Sequence, residues 1–392
     1  MTDLSVGTFL IEDAHASDAV ASRFQAVLRR RVRRYFEMSG QSPRGGRALW
    51  GKSGVLLTSW CVSWGLLLFW ASTPVTAALL SVALGLSMAG IGFNIQHDAA
   101  HGASSSDRRV NRLLAASLDL LGGSSYLWRF KHNVLHHSQP NTVGVDDDID
   151  LGPLARLAPG QRVRFAHRFQ HVYLWFLYSL VAFKWQWFDD YAMLLLGRVG
   201  ALRVRRPRGA ELIIFAGGKV FFLVWSVVLP VLIHPPLTVA VFHGLTVLTL
   251  GLSLSLVFQV AHCVPAAWSD APVVGRAWAI HQVEASVDFS RGNHLLSWCI
   301  GGLNFQVEHH LFPGVCHLHY AALAPLVEAT CVEFGVRYTT LPTLMAGLRA
   351  HYSWLKRMGR REHDAGHPIS QGGPILSSGS QGRALQRCDR AS

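Results

Sequence analysis

From Ser53 to Gln96 the chain carries no Asp, Glu, Lys or Arg, a run of 44 residues. A helix needs about 20 apolar residues to cross a bilayer, so a run this long holds two crossings. Thr73-Pro74, near its middle, supplies the turn. The spans are predicted at 54–72 and 75–95. A second apolar block runs from Leu212 to Ala261 with His234-Pro235-Pro236 in its middle. It predicts two further spans, at 212–233 and 237–261, with Lys219 as their only charge, near enough to one end to snorkel. Two double-length apolar runs do not fit the core of a soluble protein. Composition agrees: 50% of residues are hydrophobic and 15% charged, against about 25% charged in an average soluble domain. The same figures exclude a disordered chain, and six scattered cysteines exclude a disulfide scaffold.

The chain is nevertheless basic, with a formal net charge of +12. Of its 36 Lys and Arg, 9 precede residue 53, 15 lie in 96–211 and 11 follow residue 261; Lys219 is the last. Neither hairpin turn holds one. All basic segments therefore share one membrane face, which the positive-inside rule makes cytoplasmic, with both termini on it. This topology accounts for the charge, and no nucleic-acid partner is expected. No positive n-region precedes an apolar core in the first twenty residues, so no cleavable signal peptide is expected.

Residues 1–20 are expected to be a disordered N-terminus and 21–52 a basic amphipathic surface helix, with Phe24, Leu28, Val32, Tyr35 and Phe36 at helical spacing. Residues 53–350 form the membrane domain. Within it, 172–183 is apolar but too short to span and is expected in the membrane interface. The Gly-, Ser- and Pro-rich tail, 363–392, is expected to be disordered.

Twenty histidines remain to be explained. Three tight groups hold seven: His97 and His101 in HDAAH, His132, His136 and His137 in HNVLHH, and His309 and His310 in QVEHH, where Gln306 takes the leading place. His97 and His262 follow the predicted ends of the second and fourth spans, and the other groups lie in cytoplasmic segments. All can converge at one membrane face. Eight imidazoles exceed the needs of one ion, and imidazole suits iron, copper, nickel and zinc alike. No HExxH motif and no Cys pair with metal spacing occurs.

These boxes resemble those of the membrane fatty-acid desaturase family. GGLNFQVEHHLFP, with Gln leading, is similar to the front-end branch, which inserts a double bond between an existing one and the carboxyl end. The resemblance covers roughly residues 50–345. It implies an all-α integral membrane fold, two hairpins under a helical cytoplasmic cap. It implies a di-iron centre held by His97, His101, His132, His136, His137, His309 and His310, with His262 matching the family's extra histidine. Gln306 replaces a histidine of other branches, and its role as ligand or neighbour stays open. O2 would be the co-substrate, and a long-chain fatty-acyl group in the lipid bilayer the substrate. Many eukaryotic members carry a fused haem domain marked His-Pro-Gly-Gly. The nearest string here, His234-Pro235-Pro236, lies in a hairpin turn, so electrons are expected from a separate donor such as ferredoxin with its reductase. Arg outnumbers Lys 31 to 5, which points to a GC-rich bacterial genome and so to a bacterial inner membrane.

Metal-bound His usually gives its second N–H to a carboxylate or carbonyl. Asp98 beside His97, Glu308 beside His309, and the acidic run Asp146, Asp147, Asp148 and Asp150 are candidates. Asn133, Asn141 and Asn304 resemble hydrogen-bonding positions of the family, and Trp128 is a candidate for the acyl tunnel wall. His317 and His319 follow the third box closely enough to support it. His167 and His171 are read as bystanders, His243 as a packed and bonded core residue, and Cys263 and Cys316 as small buried hydrophobes. An acyl hydroxylase, epoxidase or acetylenase on the same fold is the nearest alternative. A metal-ion transporter is a remote one, since transporters place their ligands near the bilayer midplane.

Overall fold

The computed structural model describes residues 5–268 and 277–360. Four helices are long and apolar enough to cross a membrane: Gly46–Phe69, Pro74–Ala100, Ala210–Ile233 and Pro236–His262. The fold is the all-α membrane architecture that the two apolar runs predict. The first span opens earlier than expected, at Gly46, and takes in Lys52.

The hairpin turns follow from their residues. Thr73 Oγ1 accepts from the Thr76 N–H, and Thr76 Oγ1 accepts from the Thr73 N–H, both at 3.2 Å. With Pro74 as the first helical residue, this reciprocal cap starts the second span. Pro236 starts the fourth span likewise. His234 Nε2 donates to the Leu68 carbonyl at 2.7 Å, which ties the second turn to the end of the first span.

Small residues set how closely the spans pack. A Cβ on Gly85 would lie 2.6 Å from the Thr246 carbonyl oxygen, where the second span meets the fourth. A Cβ on Gly251 would land on the Ser179 carbonyl, where the fourth span meets the helix Gln170–Lys184. The hydroxyls within the spans satisfy themselves: Ser81, Ser226, Thr246 and Thr249 each donate to the carbonyl four residues back. A lipid environment requires that, because it offers no water to pair them.

Several segments differ from expectation. The N-terminal helix begins at Ser5, within the stretch read as disordered, and ends at Ser39. Its apolar face docks on the cap: Phe24 and Leu28 cluster with Val327 and Cys331 of the helix Tyr320–Phe334. The 172–183 segment is a helix whose inner face (Leu174, Tyr178 and Ala182) is buried, while Val172, Phe176 and Phe183 stay exposed. Lys219 does not snorkel. Its Nζ lies 2.6 Å from Asp190 Oδ2 and donates to the Gly122 carbonyl at 2.6 Å, a buried pairing that sequence distance conceals. The expected disordered tail, 363–392, lies outside the described residues.

The cap covers the ends of the second and fourth spans. Its helices include Trp278–Glu284, Gln306–Leu311, Tyr320–Phe334 and Leu344–Met358. Among the described residues the only ladders are two pairs of two-residue strands, Arg198–Val199 with Leu202–Arg203 and Asp288–Phe289 with Thr340–Leu341. Gly301, at φ +64°, passes against the Phe93 carbonyl, where a Cβ would collide. Glycine at that point lets the third box lie directly over the end of the second span.

Replacing Gly251 with Leu should therefore force the fourth span off its neighbour and cost about 1–3 kcal/mol. Gly217→Leu, where a Cβ meets nothing within 4 Å, is the control. Thermal unfolding in detergent, followed by tryptophan fluorescence, should show a lower midpoint for the first variant only. Equal midpoints would contradict the packing described.

Candidate metal centre

Each box sits on a local structure that turns its histidines to one side. His97 lies directly after a π-helical turn, Gly92–Gln96, at the end of the second span. The second box rides on a longer π-helical stretch, Arg129–His136, closed by a His137 N–H to His132 C=O bond of 3.0 Å. A turn that closes on the fifth residue brings His132, His136 and His137 to one face, which an α-helix would not do for all three. His309 and His310 ride on the short helix Gln306–Leu311, and His262 ends the fourth span.

The eight imidazoles meet in two adjoining groups. His97, His101, His132 and His309 each present a nitrogen within 4.8 Å of the others, and so do His136, His262 and His310. His137 lies between them. Its Nε2 is 3.2 Å from His132 Nε2, and its ring stacks on His310 at 4.5 Å. Gln306 belongs to the second group: its Nε2 is 3.0 Å from His262 Nε2, and its Oε1 has no protein partner.

The fit to a metal can be tested on protons. His136 Nδ1 donates to Asp146 Oδ2 at 3.1 Å, His262 Nδ1 to the Ala285 carbonyl at 3.0 Å and His310 Nδ1 to Gln282 Oε1 at 2.8 Å, while His309 Nδ1 shares a hydrogen bond of 3.2 Å with the Tyr320 hydroxyl. A neutral imidazole has one N–H, so the Nε2 atoms of His136, His262 and His310 carry lone pairs. Yet His262 Nε2 and His310 Nε2 face each other at 3.1 Å, and His136 Nε2 and His309 Nε2 are buried without a partner. Two nitrogens at right angles on one ion, each about 2.0–2.1 Å away, lie about 3 Å apart. The donor set fits metal ions with imidazole-rich coordination.

Electrostatics agree. Burial holds the pKa of His101, His132, His137, His309 and His310 well below the usual imidazole range, and the neighbouring rings lower it further. These rings are neutral at physiological pH, the form that binds metal. Burial also lowers the pKa of His136, but the Asp146 carboxylate outweighs it and the net direction is upward.

The expected supporting residues divide. Of the acidic run, Asp146 orients His136. Asp148 lies 3.6 Å from the same ring and pairs with Lys131 at 3.2 Å. Asn141, at φ +59°, donates to the His262, Ala267 and Ala285 carbonyls, and Asn133 donates to the Ala100 carbonyl. Asn304 Nδ2 reaches the Ser290 carbonyl at 3.5 Å, away from the rings. Asp98 does not hold a box histidine. It accepts from His317 Nδ1 at 2.8 Å, and Lys52 Nζ donates to His317 Nε2 at 2.9 Å. Glu308 likewise points away, into a buried pair with Asp288 that Tyr338 bridges at 2.9 and 2.6 Å. Burial first, and Asp288 next, push the Glu308 pKa well above the carboxylate range. Neighbours in sequence to a ligand thus turned away, because successive residues of a helix point in different directions. Sequence reading missed Gln282 and Tyr320; no motif marks either residue, since each reaches its ring through the tertiary fold.

The remaining histidines fall as follows. His167 bonds to Arg164 and Pro153, and His171 packs on Tyr352, both away from the centre. His319 packs on Phe36. His243 packs near Phe222, but its Nε2 has no hydrogen-bond partner, contrary to the bonded core residue expected. Cys263 and Cys316 are buried.

Beside the first group lies a narrow apolar pocket. His97 and Trp128 line it together with Phe93, Phe258, Ala182, Leu250 and Met88, and Gln96 and Gln186 are its amide groups. Trp128 also stacks on His132 at 4.3 Å. The centre can therefore act on an apolar chain held dry beside it.

Residues 72–342 match the model of the fatty acid desaturase family, and the chain belongs to that family of membrane oxidoreductases. It is 36% identical to a protein of Arthrospira platensis named sn-1 linoleoyl-lipid 6-desaturase, over 86% of this chain and 92% of that one. It is 36% identical to the acyl-lipid (8-3)-desaturase of Physcomitrium patens, over 88% and 74%. A Synechocystis sp. protein, also named sn-1 linoleoyl-lipid 6-desaturase, is 33% identical over 86% and 96%. The chain is accordingly a fatty-acyl desaturase.

Because Asp146 fixes the His136 ring, Asp146→Ala should weaken divalent-metal binding by about 10–100-fold. Asp147→Ala, which removes only a partly exposed contact with Lys131, should leave it within a factor of about two. Metal titration of the stripped protein distinguishes the two, and equal affinities would break the assignment.

Proposed function

We propose that the two histidine groups hold a pair of iron ions and that the enzyme desaturates a lipid-linked acyl chain seated in the apolar pocket. The observation that carries this reading is the set of proton-free Nε2 atoms of His136, His262 and His310, adjoining a histidine group whose His97 lines that pocket. The ligands are His97, His101, His132 and His309 for one ion and His136, His262 and His310 for the other, with His137 between them. Gln306 stands against the second ion's site through its free Oε1. When bound, the iron pair supplies the redox chemistry that removes two hydrogens from adjacent methylenes at the expense of O2. The protein contributes everything else. Asp146, Gln282 and the Ala285 carbonyl hold the Nδ1 protons of His136, His310 and His262, so those Nε2 lone pairs face the ions, and the Tyr320 hydroxyl fixes the His309 ring. Burial of the rings excludes water. The pocket from Trp128 to Met88 aligns the methyl side of the chain.

A lipid-linked substrate is supported by the names of the relatives, which are acyl-lipid and linoleoyl-lipid desaturases. The Gln306-led box supports front-end action. The basic segments support a cytoplasmic active site, in a bacterial inner membrane, with electrons from an acidic redox protein such as ferredoxin.

Elemental analysis of the purified protein should find about two irons per chain. One zinc per chain, or full activity without metal, would overturn the centre. His136→Ala and His309→Ala should each abolish product while the protein stays in the membrane. Lipids from an expressing host, examined by mass spectrometry, should be lighter by two hydrogens. A gain of one oxygen would instead identify a hydroxylase.

A further inference from the structure

Beside His101 of the first histidine group, and sharing no lining residue with the apolar pocket, lies a polar cavity of about 380 Å³. His101 and Asn133 are among its lining residues, which sets it against the first histidine group. Its charged groups are Arg44, Arg108, Arg112 and Arg129, against one carboxylate, Glu211. The Arg44 guanidinium is held in place by the Gly102 and Gly314 carbonyls. Arg129 lies over the rings of Tyr126 and Phe130 at 5.5 and 5.7 Å, only 3.7 Å from Glu211, and its Nε is buried without a hydrogen-bond partner. Four guanidiniums facing one carboxylate leave a positive site, and planar guanidinium forks match phosphate oxygens. Glu211 and Ile214 belong to the first turns of the third span, where Leu212 and Ile213 are exposed. The cavity therefore opens at the membrane surface.

We propose that this cavity receives the phosphate of a glycerophospholipid whose acyl chain is the substrate. The proposal rests on the desaturase reading of the metal centre and adds the carrier to it. Among carriers that bear a phosphate, the opening beside the third span favours one that arrives from the bilayer. The placement also fixes direction. The His97 and His101 rings are 4.9 Å apart; His101 faces the basic cavity and His97 the apolar pocket. A lipid anchored by its phosphate beside His101 presents its carboxyl-proximal carbons to the metal and sends its methyl end past Trp128.

The test uses the full chain in nanodiscs with its iron and an electron donor. One acyl chain, linoleoyl, is offered on phosphatidylglycerol, on a neutral galactolipid and on coenzyme A. Phosphatidylglycerol should be preferred to the galactolipid by about tenfold in kcat/KM. Arg108→Gln and Arg129→Gln should each raise KM for phosphatidylglycerol about tenfold with iron content unchanged, and Glu211→Gln should lower it. Arg108 is exposed, so that variant keeps the test usable where Arg129→Gln fails to fold. A binding arm measures a fluorescent phosphatidylglycerol in competition with inorganic phosphate and glycerol 3-phosphate, which should displace it only weakly. Equal turnover of phosphatidylglycerol and galactolipid, unaffected by the variants, would overturn the proposal and leave the desaturase reading intact. Preference for the coenzyme A thioester, or displacement by inorganic phosphate as effective as by lipid, would also overturn it. No product from any carrier by the two-iron protein would overturn the desaturase reading instead, and the binding arm would still decide the cavity.

Discussion

His262 and His310 point lone pairs at each other across 3.1 Å, and the Nε2 atoms of His136 and His309 are buried without a partner. Such an arrangement is unfavourable for a bare protein, because the buried Nε2 atoms of His136 and His309 have lost water and found no partner, and only His262 has a donor, Gln306 Nε2, within reach. It persists because each of these rings is tethered at Nδ1 through tertiary contacts. Asp146 comes from the loop after the second box, Ala285 and Gln282 from the Trp278–Glu284 region, and Tyr320 from the cap helix that follows the third box. The centre is thus preorganised by tertiary structure, and a cation relieves the strain between the lone pairs.

The membrane spans serve the same end. The second and fourth spans pack closely where Gly85 meets the Thr246 carbonyl, and they place His97 and His262 at neighbouring helix ends. The cap is fastened onto these ends by polar side chains. Asn94 donates to the Cys299 carbonyl, His317 links Asp98 of the second span to Lys52 of the first, and Asn141 gathers three carbonyls around His262. Lys52 and Asp98 would each be costly alone at this depth; joined through His317 they form a satisfied string. Apolar packing builds the bundle, and buried hydrogen bonds set the position of the cap upon it.

What could be read from the chain was what depends on local pattern. Charge-free runs located all four spans to within a few residues except at the start of the first, where Lys52 marked an apparent boundary but is buried within the helix. Box spacing picked out seven of the clustered rings, and the end of the fourth span the eighth, His262. The partners of those rings were another matter. Asp98 and Glu308 stand next to ligands in sequence, yet one turns to His317 and the other to Asp288. Gln282 is 28 residues from His310 and carries no motif. Lys219 looked like a lone cation near a span end, and only the fold brings Asp190 to it. In each case the deciding contact is between residues that the chain separates and the tertiary structure joins.

The two cavities beside His97 and His101 differ in polarity, and that difference constrains what the enzyme can do more than either cavity alone. A symmetric apolar tunnel would let an acyl chain enter by either end and slide, so the metal would meet many methylenes. Here one side carries four arginines and a glutamate, while the other is lined mostly by apolar side chains such as Phe93, Leu250 and Phe258. A chain with one polar end therefore binds in a single direction. On the proposal that the polar end is held against His101, the carbons beside the histidine groups are counted from the carboxyl end, the regiochemistry that the Gln306-led box suggests. Any change in bond position would then have to come from moving that anchor or from altering the path past Trp128, since the histidine rings themselves stay where their Nδ1 partners hold them.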